Sequence, residues 1–249
     1  MIRIKEPWET VKLFCQSLLY EKQEDCLLCG NVGGPICSNC EAEYFHPERG
    51  RCQHCGKLIM KEHLLCLDCS EGRGPKGLER VAAWGHYTGA WRDFIHAVKF
   101  KSQPYLLKKI VHPFSDWAIR NLPPPDVLIP VPMHPERLAE RGFNQSSVLA
   151  SALHWELGIP LVEGLERLTP TTPQVGLSRR DRLHNLTGVF ALSGLGKEWG
   201  IKGRRIWLID DVVTTGATLE SCTHVLRDQG AMKVYGLTLA AGLQKESEN

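Results

Sequence analysis

Residues 206–220 read IWLIDDVVTTGATLE. Four apolar residues lead into two adjacent aspartates, and these into a loop of threonines around one glycine. A short apolar run bounded by turn residues reads as a strand buried on both faces. Residues 217–229 behind it have helical spacing and stop at Gly230. Strand, loop and helix in that order form the repeating unit of a parallel sheet.

The chain upstream repeats this alternation. Residues 81–87, 126–131 and 205–209 read as strands, as do residues 233–240 near the end. Residues 90–100 read as an amphipathic helix, 105–120 as a helix with a proline inside, and 146–157 as a helix with Val148, Leu149, Ala152, Leu153 and Leu157 on one face. The expected fold class is α/β, a parallel sheet with helices on both faces.

In such sheets the ligand lies outside the carboxyl ends of the strands, where Asp210 and Asp211 end the strand WLI. The loop 212–218 opens a helix whose free N–H groups and dipole attract a phosphate. Thr214, Thr215 and Thr218 add hydroxyls, Gly216 permits close approach of the backbone, and Ala217 begins the helix. Neither G-x-x-x-x-G-K-[ST] nor G-x-G-x-x-G occurs, so the loop is neither a nucleoside-triphosphate P-loop nor a dinucleotide fingerprint. A ribose phosphate satisfies both halves, its hydroxyls on the carboxylates and its phosphate on the loop. Cys222 falls at core spacing with Leu219, Val225 and Leu226 and reads as packing.

Eight of the ten cysteines form four C-x-x-C pairs: Cys26/Cys29, Cys37/Cys40, Cys52/Cys55 and Cys66/Cys69. Two such knuckles complete a tetrahedron about zinc, so four make two structural sites. Sequential pairing is the simplest; a cross-braced arrangement of pairs one and three also satisfies the spacing. Gly30 and Gly56 follow a knuckle directly, where the loop needs positive φ. A disulfide framework is disfavoured, since no secretory signal precedes the pairs and the cytosol is reducing. Residues 26–69 carry four Lys/Arg against five Asp/Glu. Zinc thiolates add negative charge, so this module suits protein docking better than a phosphate backbone.

The 249 residues allow one sizeable domain and a small module. The expected division is an N-terminal helix over 1–25, a double zinc ribbon over 26–70 and the α/β domain over 80–249. The net charge of +2 hides a basic segment, residues 167–205, with eight Lys/Arg against two acids. No apolar run reaches the roughly 18 to 20 residues of a membrane span. Glu6 and Glu9 interrupt any secretory core, so the chain is expected in the cytoplasm. Trp8, Val11, Cys15, Leu18 and Leu19 predict a short amphipathic helix over 8–20.

Residues 206–218 resemble the phosphoribosyl pyrophosphate (PRPP) motif of type I phosphoribosyltransferases: an apolar strand, two acids, and a Thr/Gly phosphate loop. Three further blocks accompany it: YTGAWRDFIHAVKF at 87–100, IPVPMHPERLAERGFNQ at 129–145 and RLTPTTPQVGLSRRDRLHNLTGVF at 167–190. With the cysteine pairs, the whole of 26–241 resembles the ComF family of late competence proteins, which is amidophosphoribosyltransferase-like.

The resemblance implies a type I phosphoribosyltransferase-like domain behind a double zinc ribbon. It implies PRPP with Mg²⁺ as ligand, Asp210 and Asp211 as the catalytic pair on the ribose, and Arg137 and Arg141 on the diphosphate, with Lys99 a further anion contact. Thr171, Gln174, Arg179 and Arg182 match a flexible loop closing over the reacting centre, or a face for polyanions. The implied partners are a ComFA-type ATPase/helicase and single-stranded DNA, in natural transformation. Association with the inner face of the membrane would come through such partners. The acceptor of any phosphoribosyl transfer is not identified, so the pocket is expected either to turn PRPP over or to hold it. The chain has its cysteine module where purine-pathway amidophosphoribosyltransferases carry a glutaminase, so it is not expected to draw ammonia from glutamine.

Overall fold

A computed structural model describes residues 25–45, 50–59, 62–100, 106–168 and 188–242. The helix expected over 8–20 lies outside them. The N-terminal part is a set of short elements: helix α1 (Ser38–Phe45), strands β1 (Gly50–Arg51) and β2 (Leu58–Ile59) paired antiparallel, and helix α2 (Leu67–Ser70). Gly30 and Gly56 take φ of 76° and 74°, as the knuckles require.

Strand β3 (Arg80–His86) begins the α/β body, followed by helices α3 (Gly89–Phe100) and α4 (Leu106–Asn121). Helix α4 runs through Pro113, which removes one backbone donor without ending it. Next come β4 (Val127–Pro130), α5 (Pro135–Arg141), α6 (Gln145–Leu157), and the antiparallel pair β5 (Leu165–Arg167) and β6 (Phe190–Leu192). Helix α7 (Gly194–Trp199), β7 (Arg205–Val213), α8 (Ala217–Asp228) and β8 (Lys233–Ala241) complete the described order. The sheet runs β3-β8-β7-β4, and every neighbouring pair is parallel.

Alternation along the strands divides the core into two layers. Ala82, Trp84, Leu128, Trp207 and Ile209 face α3, α4 and α6, meeting Trp91, Ile95, Phe114, Leu149 and Leu153. Val81, Ala83, Ile129, Ile206 and Leu208 face the other way, against Leu219, Cys222 and Leu226 of α8 and Phe190 of β6. Helices therefore cover both faces, as expected. Each fully buried large side chain stabilises the fold by roughly 1.5–3 kcal/mol. The fully buried indole N–H groups of Trp91 and Trp207 are satisfied: Trp91 donates to the Leu239 carbonyl at 3.2 Å and Trp207 to the Pro123 carbonyl at 2.9 Å.

Strand β7 continues four residues past Ile209, where the sequence places its end. Its partner explains this, because the register carries on through Asp210↔Thr238, Val212↔Ala240 and Val213↔Ala241. The aspartates thus sit inside a paired strand rather than just beyond one.

The cysteine elements dock on the sheet at two places. Phe45 of α1 lies with its ring 4.5 Å from Trp84 and 5.0 Å from Trp91. In the Cys52/Cys55 knuckle, the His54 carbonyl accepts from the Val81 N–H at 2.8 Å. A Cβ on Gly56 would lie 2.8 Å from the Val81 oxygen, so only glycine admits this approach.

Candidate functional site

At the carboxyl end of β7 and β4 lies a cleft of about 280 Å³. Asp210 accepts hydrogen bonds on Oδ1 from the Ser146 hydroxyl at 3.0 Å and the Asp211 N–H at 2.9 Å. Asp211 Oδ2 is paired with Lys99 Nζ at 2.6 Å. Lys99, Arg137, Arg141 and Arg167 line the cleft against the two carboxylates, so the walls carry four cations and two anions. Such a site favours a polyanion that also offers hydroxyl donors.

Burial, then the charge of Asp211, pushes the Asp210 carboxyl up to about 7, against the pull of Lys99 and its hydrogen bonds. Burial works against the Lys99 charge as well. The nearby carboxylates of Asp211 and Asp210 overcome it and hold the ammonium above its ordinary range. Arg141 and Arg167 are both pulled down by burial, and then by the like charge of Arg137.

The loop after β7 opens α8 through Gly216 at φ 78°, while the Ala217 N–H reaches the Thr215 hydroxyl at 3.4 Å. Thr214 is exposed, Thr215 and Thr218 half-buried, Gly216 and Ala217 buried. Of these, Thr218 lines the cleft. A Cβ on Gly216 would meet Pro75 Cβ at 2.7 Å. Pro75 is held in turn: its carbonyl contacts His54 Nε2, and a Cβ on neighbouring Gly74 would lie 2.6 Å from Cys69 Sγ. The second cysteine cluster thus reaches the anion loop through His54, Gly74 and Pro75.

The eight cysteines form two clusters, Cys26/Cys29/Cys37/Cys40 and Cys52/Cys55/Cys66/Cys69, each with its sulfurs within 4.8 Å of one another. The pairing is sequential. Zinc at ~2.3 Å from four thiolates requires sulfurs ~3.8 Å apart. Cys29 and Cys37 are 3.6 Å apart, Cys55 and Cys66 3.5 Å, so both clusters fit a closed tetrahedral metal.

The structure brings together Lys99, Arg137, Arg141, Asp210, Asp211 and Thr218 from three separated segments. Thr171, Gln174, Arg179 and Arg182 lie outside the described residues. Asn144 caps α6, accepting from the Ser146 N–H at 3.2 Å and donating to the Val131 carbonyl at 2.9 Å; Gly142 ends α5 at φ 81°. Gly142 thus serves the helix end, whereas Asn144 both caps a helix and lines the cleft. Sequence reasoning missed Ser146, which touches Asp210, and Arg167, which lines the cleft. Arg167 opens the basic block, and that position was its one signal; a single serine after RGFNQ gives none. Cys222 is fully buried among apolar residues, as its spacing implies.

No protein-family model matches the chain. Competence protein F of Haemophilus influenzae is 30% identical over 228 residues, covering 86% of this chain and 96% of that protein. DNA utilization protein YhgH of Escherichia coli K12 is 30% identical over 84% and 93%. Competence protein ComFC of Streptococcus pneumoniae is 29% identical over 93% and 94%. The chain belongs to this family of competence and DNA-utilization proteins. Among solved structures, purine phosphoribosyltransferase of Pyrococcus horikoshii overlaps 55% of this chain and 74% of its own at 21% identity with a TM-score of 0.35. Adenine phosphoribosyltransferase of Leishmania tarentolae overlaps 58% and 74% at 17% and 0.37. Scores this low say nothing about chemistry. No helix of the described residues is long and apolar enough to cross a membrane.

Proposed function

We propose that the protein serves DNA uptake and utilization, and that its carboxyl-end cleft binds phosphoribosyl pyrophosphate. The adjoining Asp210 and Asp211, facing four cations beside the Gly216 loop, carry this reading. Ribose hydroxyls donate to the carboxylates, the 5′-phosphate takes the loop N–H groups, and Arg137, Arg141 and Lys99 meet the diphosphate. Mg²⁺ bound with the ligand would neutralise diphosphate charge. The relatives named for competence and DNA utilization support the biological role. Within it, single-stranded DNA and a ComFA-type ATPase are the partners the family suggests, the latter docking on the cysteine module and drawing the chain toward the membrane.

Calorimetry with PRPP and Mg²⁺ on wild type and on Asp210→Asn/Asp211→Asn tests the ligand. Heat with wild type, lost in the variant, is expected; no heat with either sinks the reading.

A second reading makes the site a transferase. Asp210, pushed up to about 7, is a group able to exchange a proton near neutral pH beside the ribose. An acceptor nucleophile would form a bond to ribose C1 as the bond to pyrophosphate breaks. Pyrophosphate release with any purine or pyrimidine base decides for it; binding without release decides for a holding site.

A further inference from the structure

A second, larger cleft of about 920 Å³ opens at the opposite, amino end of the sheet, between the cysteine elements and the strand starts. Two arginines line it with hydrogen-bonding capacity unspent. Arg51 Nη2 donates to the carbonyls of Phe45 at 2.5 Å and Trp84 at 2.7 Å, while its Nη1 is buried with no partner among the described residues. Arg80 Nη1 donates to the Asn121 carbonyl at 3.2 Å, and its buried Nε likewise has no partner. Burial pulls the Arg51 guanidinium down to about 10. A buried cation held only by carbonyls lacks the counter-charge such groups ordinarily have.

The acids nearby do not supply it. Glu79 is taken by Arg227 at 2.7 Å and Lys233 at 4.0 Å, and no ion pair joins Glu41 to either arginine among the described residues. The cleft is also far too large for a bare ion. Besides those two acids and the apolar faces of Phe45, Trp84, Pro123 and Tyr235, its walls include the half-buried indole of Trp117 and the amides of Gln53 and Asn121. These offer a ring face and hydrogen-bonding groups to a heterocycle.

We infer that this cleft binds a nucleoside monophosphate, free or as the end of a DNA strand, with its phosphate on Arg51 and Arg80 and its base beside Trp117. The site lies at the other end of the sheet from Asp210 and does not depend on the ribose-phosphate reading.

The test is calorimetry of the full zinc-loaded chain with adenosine 5′-monophosphate, run on wild type and on Asp210→Asn/Asp211→Asn. One equivalent should bind. Arg80→Ala should weaken it about ten-fold or more, whereas Asp210→Asn/Asp211→Asn should leave it unchanged. Should Arg80→Ala fail to fold, Trp117→Ala is the replacement and should weaken binding likewise. Adenosine, lacking the phosphate, should not compete. Absence of that equivalent, or its loss in the aspartate variant alone, overturns the assignment. Displacement by a 5′-phosphorylated oligothymidylate identifies the strand end as the source; failure to displace identifies the free nucleotide.

Discussion

Lys99 Nζ lies 2.6 Å from Asp211 Oδ2 and forms an ion pair with it at the strand end. Both side chains are largely buried, at 17% and 15% exposure, so removing one leaves the other charged in a poor solvent. Lys99→Ala should destabilise the fold by on the order of 2 kcal/mol, below the ~3–5 kcal/mol of fully buried pairs because water reaches the cleft. Lys99→Arg should recover part of the loss. Chemical denaturation reads this directly, and a midpoint equal to wild type would refute the pairing.

Asp210 gives a pH dependence with a definite sign. Its carboxyl is raised to about 7 in the folded protein, against ~3.9 in an unfolded chain. Between those values the folded state holds the extra proton, so this group's contribution to stability falls as pH rises and is constant above about 7. Asp210→Asn should therefore match wild type near pH 4 and exceed it at pH 8. Thermal melts across that range test it; a gap widening toward acid would reverse the sign and exclude a raised carboxyl.

The strand, the acid pair and the helix start were legible in IWLIDDVVTTGATLE because apolar runs and turn residues are local signals. The four-residue extension of β7 was not, since it depends on how far β8 runs alongside. Cysteine spacing gave the number of metal sites but not their pairing, which only the distances between sulfurs decide. Ser146 and Arg167 escaped for a related reason. Each meets the aspartates or their cleft through the packing of separate segments onto one strand end.

Gly216 is strained for any other residue twice over, by its φ of 78° and by the contact of a Cβ with Pro75. Gly216→Ala should cost roughly 1–2 kcal/mol of backbone strain and more where Pro75 resists. Affinity for ribose 5-phosphate should fall about ten-fold if the displaced loop loses one charge-assisted hydrogen bond. Gly203→Ala, at φ 75° with open space around it, carries the strain without the clash. Equal ligand affinity in the two variants would remove Pro75 from the explanation.

Metal analysis should return two zinc ions per chain, one for each cluster. The clusters should differ in what their loss does. Cys52→Ser should weaken ribose 5-phosphate binding, because His54 and Cys69 hold the Gly74 and Pro75 support of Gly216. Cys26→Ser should instead lower the melting temperature, because Cys26 shares the apolar layer containing Phe45, Trp84 and Trp91. The comparison is a titration and a melt on each variant, and the pattern exchanged between them would contradict it.

Among the described residues, strand β3 pairs with β8 alone, joining Arg80 to Tyr235 and His86 to Ala241. During synthesis the first strand of the sheet must wait for the last. Until then Val81, Ala82, Ala83 and Trp84 have no edge to pair with, and the layer under Phe45 stays open to water. A chain with such distant pairing folds slowly and exposes an adhesive strand meanwhile. A translating ribosome therefore carries cysteine clusters able to take up metal well before the sheet that anchors them can close.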